Sequence, residues 1–109
     1  MHALHLIRKD DRTLPQIEVV DRGNDVYRSG FWMLSEEKAR MLIGSKIYFH
    51  RTQSKPSFFG GTITAIEKIS EVAYAGRILF TLHAEQECKE VSTPREGWAR
   101  VIKIVCSHD

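Results

Sequence analysis

The chain has 109 residues, 42% of them hydrophobic and 28% charged, which is the size and composition of one ordinary globular domain rather than a disordered chain. Lys and Arg number 16 against 14 Asp and Glu, leaving a formal charge of +2; this is too mild by itself to establish a nucleic-acid partner, although a small net charge can hide a basic face. Two cysteines, Cys88 and Cys106, and no apolar run near the roughly 20 residues needed to cross a bilayer argue against a disulfide scaffold or a membrane span, so a reduced cytoplasmic setting is expected.

In chain order, Met1 to Ile7 is too short an apolar run for a secretory signal and reads as the first strand. Asp10, Asp11, Arg12 and Pro15 end it, and the turn Asp21-Arg22-Gly23-Asn24-Asp25 separates a strand over 16–20 from one over 26–34. Ser35 then has the side chain to cap the one helix, expected over 36–43. Glu36 and Glu37 suit its positive end, and Gly44 can close it in a left-handed conformation. Beyond it come segments rich in β-branched and aromatic residues: 46–52, 62–69, 77–83 and 98–105, with Ser57 to Gly61 as a turn and the polar stretch 84–97, which contains Pro94, as a long surface loop. Seven short strands at most and one helix predict a single mostly β domain over 1–109, a compact and largely antiparallel barrel, since a parallel sheet would need repeated crossover helices. Leu4, Leu6, Ile17 and Val19 are spaced to contribute apolar strand faces.

Catalytic and cofactor signatures are weak. Cys88, Cys106, His83 and His108 lack the close Cys-x-x-Cys type of pairing, so no metal is expected, and no Walker, dinucleotide or nucleophile-elbow spacing occurs, so no cofactor is expected either. What the sequence does offer is a set of binding side chains. Trp32 and Trp98 can stack on a nucleic-acid base, a contact worth about 1–3 kcal/mol, although one of the two is expected simply to fill the core. Phe58 and Phe59 are neighbours, so one should face the core and the other the mouth of the barrel. His50 and Arg51, followed by Gln53, Ser54, Lys55 and Ser57, supply donors for a phosphate backbone or a base edge, and Gly60 with Gly61 would let main-chain amides approach a ligand. Arg8, Lys9 and Arg12 read as a charged turn; Arg95, Arg100 and Lys103 can add to a basic rim.

The order Phe31-Trp32-Met33, Ser35-Glu36, helix, Gly44, then Tyr48-Phe49-His50 and a Gly-rich turn resembles the PUA-like superfamily, and within it the EVE and ASCH branches, over about residues 27–105. Glu37 stands where the EVE pattern has Pro, and Arg51 where it has Ser. The resemblance implies a β-barrel that recognises nucleic acid, DNA or RNA, often through a modified or extruded base, with Trp32 beside the pocket and Ser35, His50 and Phe58 nearby. Some ASCH relatives are instead small amidohydrolases acting on modified nucleosides; Lys46, Thr64 and Glu67 are the nearest candidates for such chemistry here. A binding module is favoured over an enzyme, and a protein-interaction or accessory subunit, or a homo-oligomer, is the third reading.

Overall fold

The computed structural model describes residues 2–7, 17–70, 75–94, 96–98 and 101–106. Among them are seven strands and one α-helix: β1 (His2–Ile7), β2 (Glu18–Asp21), β3 (Val26–Trp32), α1 (Glu36–Met41), β4 (Lys46–His50), β5 (Ser57–Lys68), β6 (Ile78–Ala84) and β7 (Ile102–Cys106). They form one sheet in the order β2-β3-β6-β5-β4-β1-β7, antiparallel throughout except where β1 runs parallel to β4. A mostly β, largely antiparallel fold with one short helix after the Trp32 strand is therefore what the chain adopts.

The sheet is rolled. Leu4 and Leu6 of β1 share one core with Trp32 of β3, four strand positions away, and with Ile47 and Phe49 of β4, Ile63 of β5, Ile78, Phe80 and Leu82 of β6, and Ala39 and Leu42 at the helix. In a flat sheet β1 and β3 would be about 19 Å apart at the usual strand spacing of about 4.8 Å, out of reach of a common cluster. The molecular extents, 36 × 31 × 29 Å, fit a roll better than a flat sheet, whose layer packing adds only about 10 Å. Its ends, β2 and β7, are not paired to each other among the described residues.

Local chemistry accounts for the helix. The Ser35 side chain accepts from the Lys38 amide at 3.2 Å, as expected of an N-cap. The helix stops at Met41, two residues before the expected end, with Leu42 as its C-cap. Gly44 then takes φ +89°, donates its amide to the Ile63 carbonyl at 2.7 Å and so ties the helix end to β5.

Several boundaries move. Ser57 to Gly61 is not a turn but the first part of the 12-residue β5, and the reversal occupies 51–56 instead. The two glycines permit this. A Cβ on Gly60 would overlap the Ile47 carbonyl oxygen, and one on Gly61 the His83 carbonyl oxygen. Their space is filled by the neighbouring strands, not left for a ligand. β3 ends at Trp32, β4 at His50, and β7 begins at Ile102, leaving Trp98 outside it. Val19 is 41% exposed on an edge strand and contributes nothing to the core, whereas Leu4 and Leu6 are wholly buried. The stretch 84–97 is no plain surface loop: Ala84 completes β6, a 3-10 turn covers Gln86–Cys88, and Cys88 is buried. The Asp10 to Pro15 break, the Arg8, Lys9 and Arg12 cluster, and Arg95 and Arg100 lie outside the described residues.

Candidate functional site: a polar layer and a small aromatic cavity

Strand alternation separates two faces of β1, β4, β5 and β7. Registers Leu4↔Ile47, Leu6↔Phe49, Phe49↔Phe59 and Leu4↔Ile104 put the apolar residues on the core side. The opposite side carries His5, Lys46, Tyr48, His50, Thr62 and Lys103, and the segment after β6 lies over it. Ser57 holds that segment: its hydroxyl donates to the Cys88 carbonyl at 2.6 Å and accepts from the Val91 amide at 3.0 Å. Burial pushes the Cys88 thiol pKa up, which keeps it protonated and unfit as a nucleophile.

Under this cover lies a histidine pair. His5 Nδ1 and His50 Nε2 are 2.8 Å apart, and His50 Nδ1 is 2.8 Å from the Lys55 carbonyl. A carbonyl only accepts, so His50 Nδ1 carries the proton, its Nε2 presents a lone pair, and His5 Nδ1–H donates to it. Both rings are neutral. Desolvation, then His50, then Lys103 drive the His5 pKa down to about 4, and burial with Lys103 also lowers that of His50 against the opposing pull of the Lys55 carbonyl. Tyr48 stacks on His5 at 4.8 Å, and Trp98 sets its edge against His5 and His50 at 6.4 and 5.7 Å. Lys103 is 6% exposed and donates to the Pro94 carbonyl, so it belongs to this buried layer and not to a basic rim.

At the other end of β4, the Lys46 ammonium bonds both Glu85 carboxylate oxygens, at 2.6 and 3.0 Å, and the Thr62 hydroxyl at 3.0 Å, while Thr62 donates to Glu85. The pairing raises the Lys46 pKa and lowers that of Glu85, so both are ionised. These three residues take the place of the expected Lys46, Thr64 and Glu67 grouping. Thr64 and Glu67 point outward on the exposed part of β5, and Thr64 bonds the Thr81 carbonyl at 3.3 Å. An ammonium has no lone pair, so Lys46 in this state is a clamp and not a general base. Lys46→Met is expected to cost about 1–2 kcal/mol of stability in a denaturant titration by leaving Glu85 without its cation.

Glu85 also borders a cavity of about 170 Å³ where β6 ends and β3 begins, lined by Asp25, Tyr27, Phe59, Ala84, Gln86 and Lys89 as well. Tyr27 and Phe59 meet edge to face at 5.0 Å, and Phe59 is backed by Phe49 at 6.0 Å. One residue back, Phe58 carries the Arg51 guanidinium 4.7 Å above its ring. Arg51 and Lys55 are exposed on the reversal beside it. A second, larger cleft of about 300 Å³, lined by His2, Lys38, Met41, Leu42 and Ile104, is almost wholly apolar.

The expected site residues therefore divide. Phe58 pairs with Arg51 outside the cavity lining, Lys55 is exposed on the reversal before β5, and of these only Phe59 lines the cavity. Trp32 does not: it is 5% exposed within the core, its indole N–H satisfied by the Ser29 hydroxyl at 2.9 Å, and it has no face left for stacking. Ser35 is spent on the helix cap, Ser57 is buried and bonded to the 88–91 segment, His50 is buried between His5 and the Lys55 carbonyl, Gly60 is covered by Cys88, and Trp98 is half-buried against the histidines. Asp25, Tyr27, Thr62, Glu85, Gln86 and Lys89 were not legible as site residues; only the Asp21 to Asp25 turn signal touched them. Among the described residues no group of three or more His, Cys, Asp or Glu can hold a metal, and no helix is long and apolar enough to cross a membrane. Comparison with family models, with curated proteins and with solved structures returns no match.

Proposed function

We propose that this chain is a PUA-like nucleic-acid-binding module that takes an unpaired base into the Tyr27–Phe59 cavity and holds the adjoining backbone with Arg51 and Lys55. Arg51 and Lys55 are exposed on the reversal that leads into the Phe59 strand. The observation that carries the reading is the cavity itself: an aromatic pair within a ring of polar side chains that includes the Lys89 ammonium. Its volume is below the 300–1,000 Å³ of sites for drug-sized ligands, so it suits one planar ring system rather than a whole nucleotide. An unpaired base can enter without the few kcal/mol that extruding a paired one costs, so single-stranded ligands should bind best.

Fluorescence anisotropy with a labelled single strand tests this. Affinity should fall with rising salt, and replacing Arg51 and Lys55 by Ala should reduce the slope of log K against log salt by about 1.4, two phosphates at about 0.7 each. Tyr27→Leu, which keeps apolar volume against the core, should weaken binding by about 1–3 kcal/mol with its melting temperature nearly unchanged. Absence of binding at low salt, or indifference to all three substitutions, overturns the reading. Amidohydrolase chemistry on a modified nucleoside is the second reading, because Glu85 lines the cavity and is bonded to Thr62 and Lys46; release of free acid from an N-acylated nucleoside, lost in Thr62→Val, is its test.

A further inference from the structure

We infer that the cavity selects a base that presents an exocyclic amino group, of the 4-aminopyrimidine type, over its keto counterpart, with Asp25 as the selecting residue; this rests on the base-binding reading above. Two of the cavity's polar walls are carboxylates, Asp25 and Glu85. An ionised carboxylate only accepts hydrogen bonds, so it rewards an N–H donor and repels a carbonyl oxygen. Glu85 already has both oxygens engaged by Lys46, and Thr62 donates to it as well. Its wall stays negative, but its capacity for a further partner is reduced. Among the described residues none engages the Asp25 carboxylate, which is the acceptor left for a ligand. The remaining polar lining, the Gln86 amide and the Lys89 ammonium, can donate to the ring nitrogen or to the one carbonyl that such a base carries beside its amino group.

The backbone fixes Asp25 in place. It sits at φ 55° at the end of the 22–25 turn, and its carbonyl accepts the Ala84 amide at 2.8 Å, pinning it across the end of β6. Asp and Asn are the non-glycine residues that best tolerate this conformation, which makes Asp25→Asn a fold-preserving test. The volume of about 170 Å³ argues for one ring over two.

The experiment measures the full chain against two single-stranded oligonucleotides of equal length that differ only in carrying cytosine or uracil. Wild type should bind the cytosine strand at least about tenfold more tightly. In Asp25→Asn, whose amide can donate as well as accept, the two affinities should converge, largely by a gain for uracil. Equal binding of both strands by wild type would overturn the selectivity and leave base binding standing. A preference that survives Asp25→Asn would remove Asp25 from the role, and no binding of either strand would end both readings.

Discussion

A chain that begins at residue 8 is expected to lose its cooperative fold. β1 is not a peripheral arm: it is inserted between β4 and β7 and is the strand against which β7 is paired. Its deletion removes Leu4 and Leu6, both wholly buried, and core leucines cost about 2–5 kcal/mol each when truncated. Against a typical total of about 5–15 kcal/mol, that loss together with an unpaired β7 leaves little. Circular dichroism and a thermal melt decide it. A truncated chain that melts cooperatively at the full-length temperature would show that β1 is dispensable.

Acidification is expected to weaken the fold through the histidine pair. His5 has a folded pKa of about 4 against about 6.5 when unfolded, so between these values the unfolded chain binds a proton that the folded chain refuses. Stability is therefore intact above about pH 6.5 and falls as the pH drops toward about 4, by up to about 3 kcal/mol from His5 alone at about 1.4 kcal/mol per pKa unit. His50, depressed in the same direction, adds to the loss. His5→Asn, whose amide can still donate to His50 Nε2, should flatten this part of the pH dependence. Urea titrations of both proteins across that range read the difference, because the groups outside this pair titrate equally in the two. Parallel curves would mean that the pair carries no proton linkage.

His5, His50, Tyr48 and Trp98 form one aromatic layer, joined by Lys103, and Glu85, Gln86 and Lys89 supply walls of the cavity. The 3-10 turn that walls the cavity is fastened through Glu85 to Lys46 and through the Cys88 carbonyl to Ser57. Glu85 is thus held through fixed partners and needs little ordering on binding.

Short-range chemistry was read correctly wherever one residue and its neighbours settle the outcome. Ser35 capping, the left-handed Gly44, the 21–25 turn and the alternation in β1 follow from side-chain hydrogen bonding, the missing Cβ of glycine and the period of two in a strand. Aromatic and β-branched segments separated by turn residues likewise set a mostly β class. What the sequence alone could not settle was which side of each strand would be covered. Trp32 and Trp98 are equally aromatic in the sequence, yet rolling the sheet placed the first in the core and the second over the histidines. Gly60 and Gly61 resembled a ligand turn because nothing local records that the Ile47 and His83 carbonyls would occupy their Cβ space. Thr62 and Glu85 stand 23 residues apart, and Asp25 and Gln86 farther still, so the polar cluster and the cavity exist only once β3, β5 and β6 are paired. Sequence determined the local conformations and the balance of polar and apolar surface; burial, protonation and the convergence of distant side chains were decided by tertiary packing, because each depends on neighbours that the chain supplies only after it has folded.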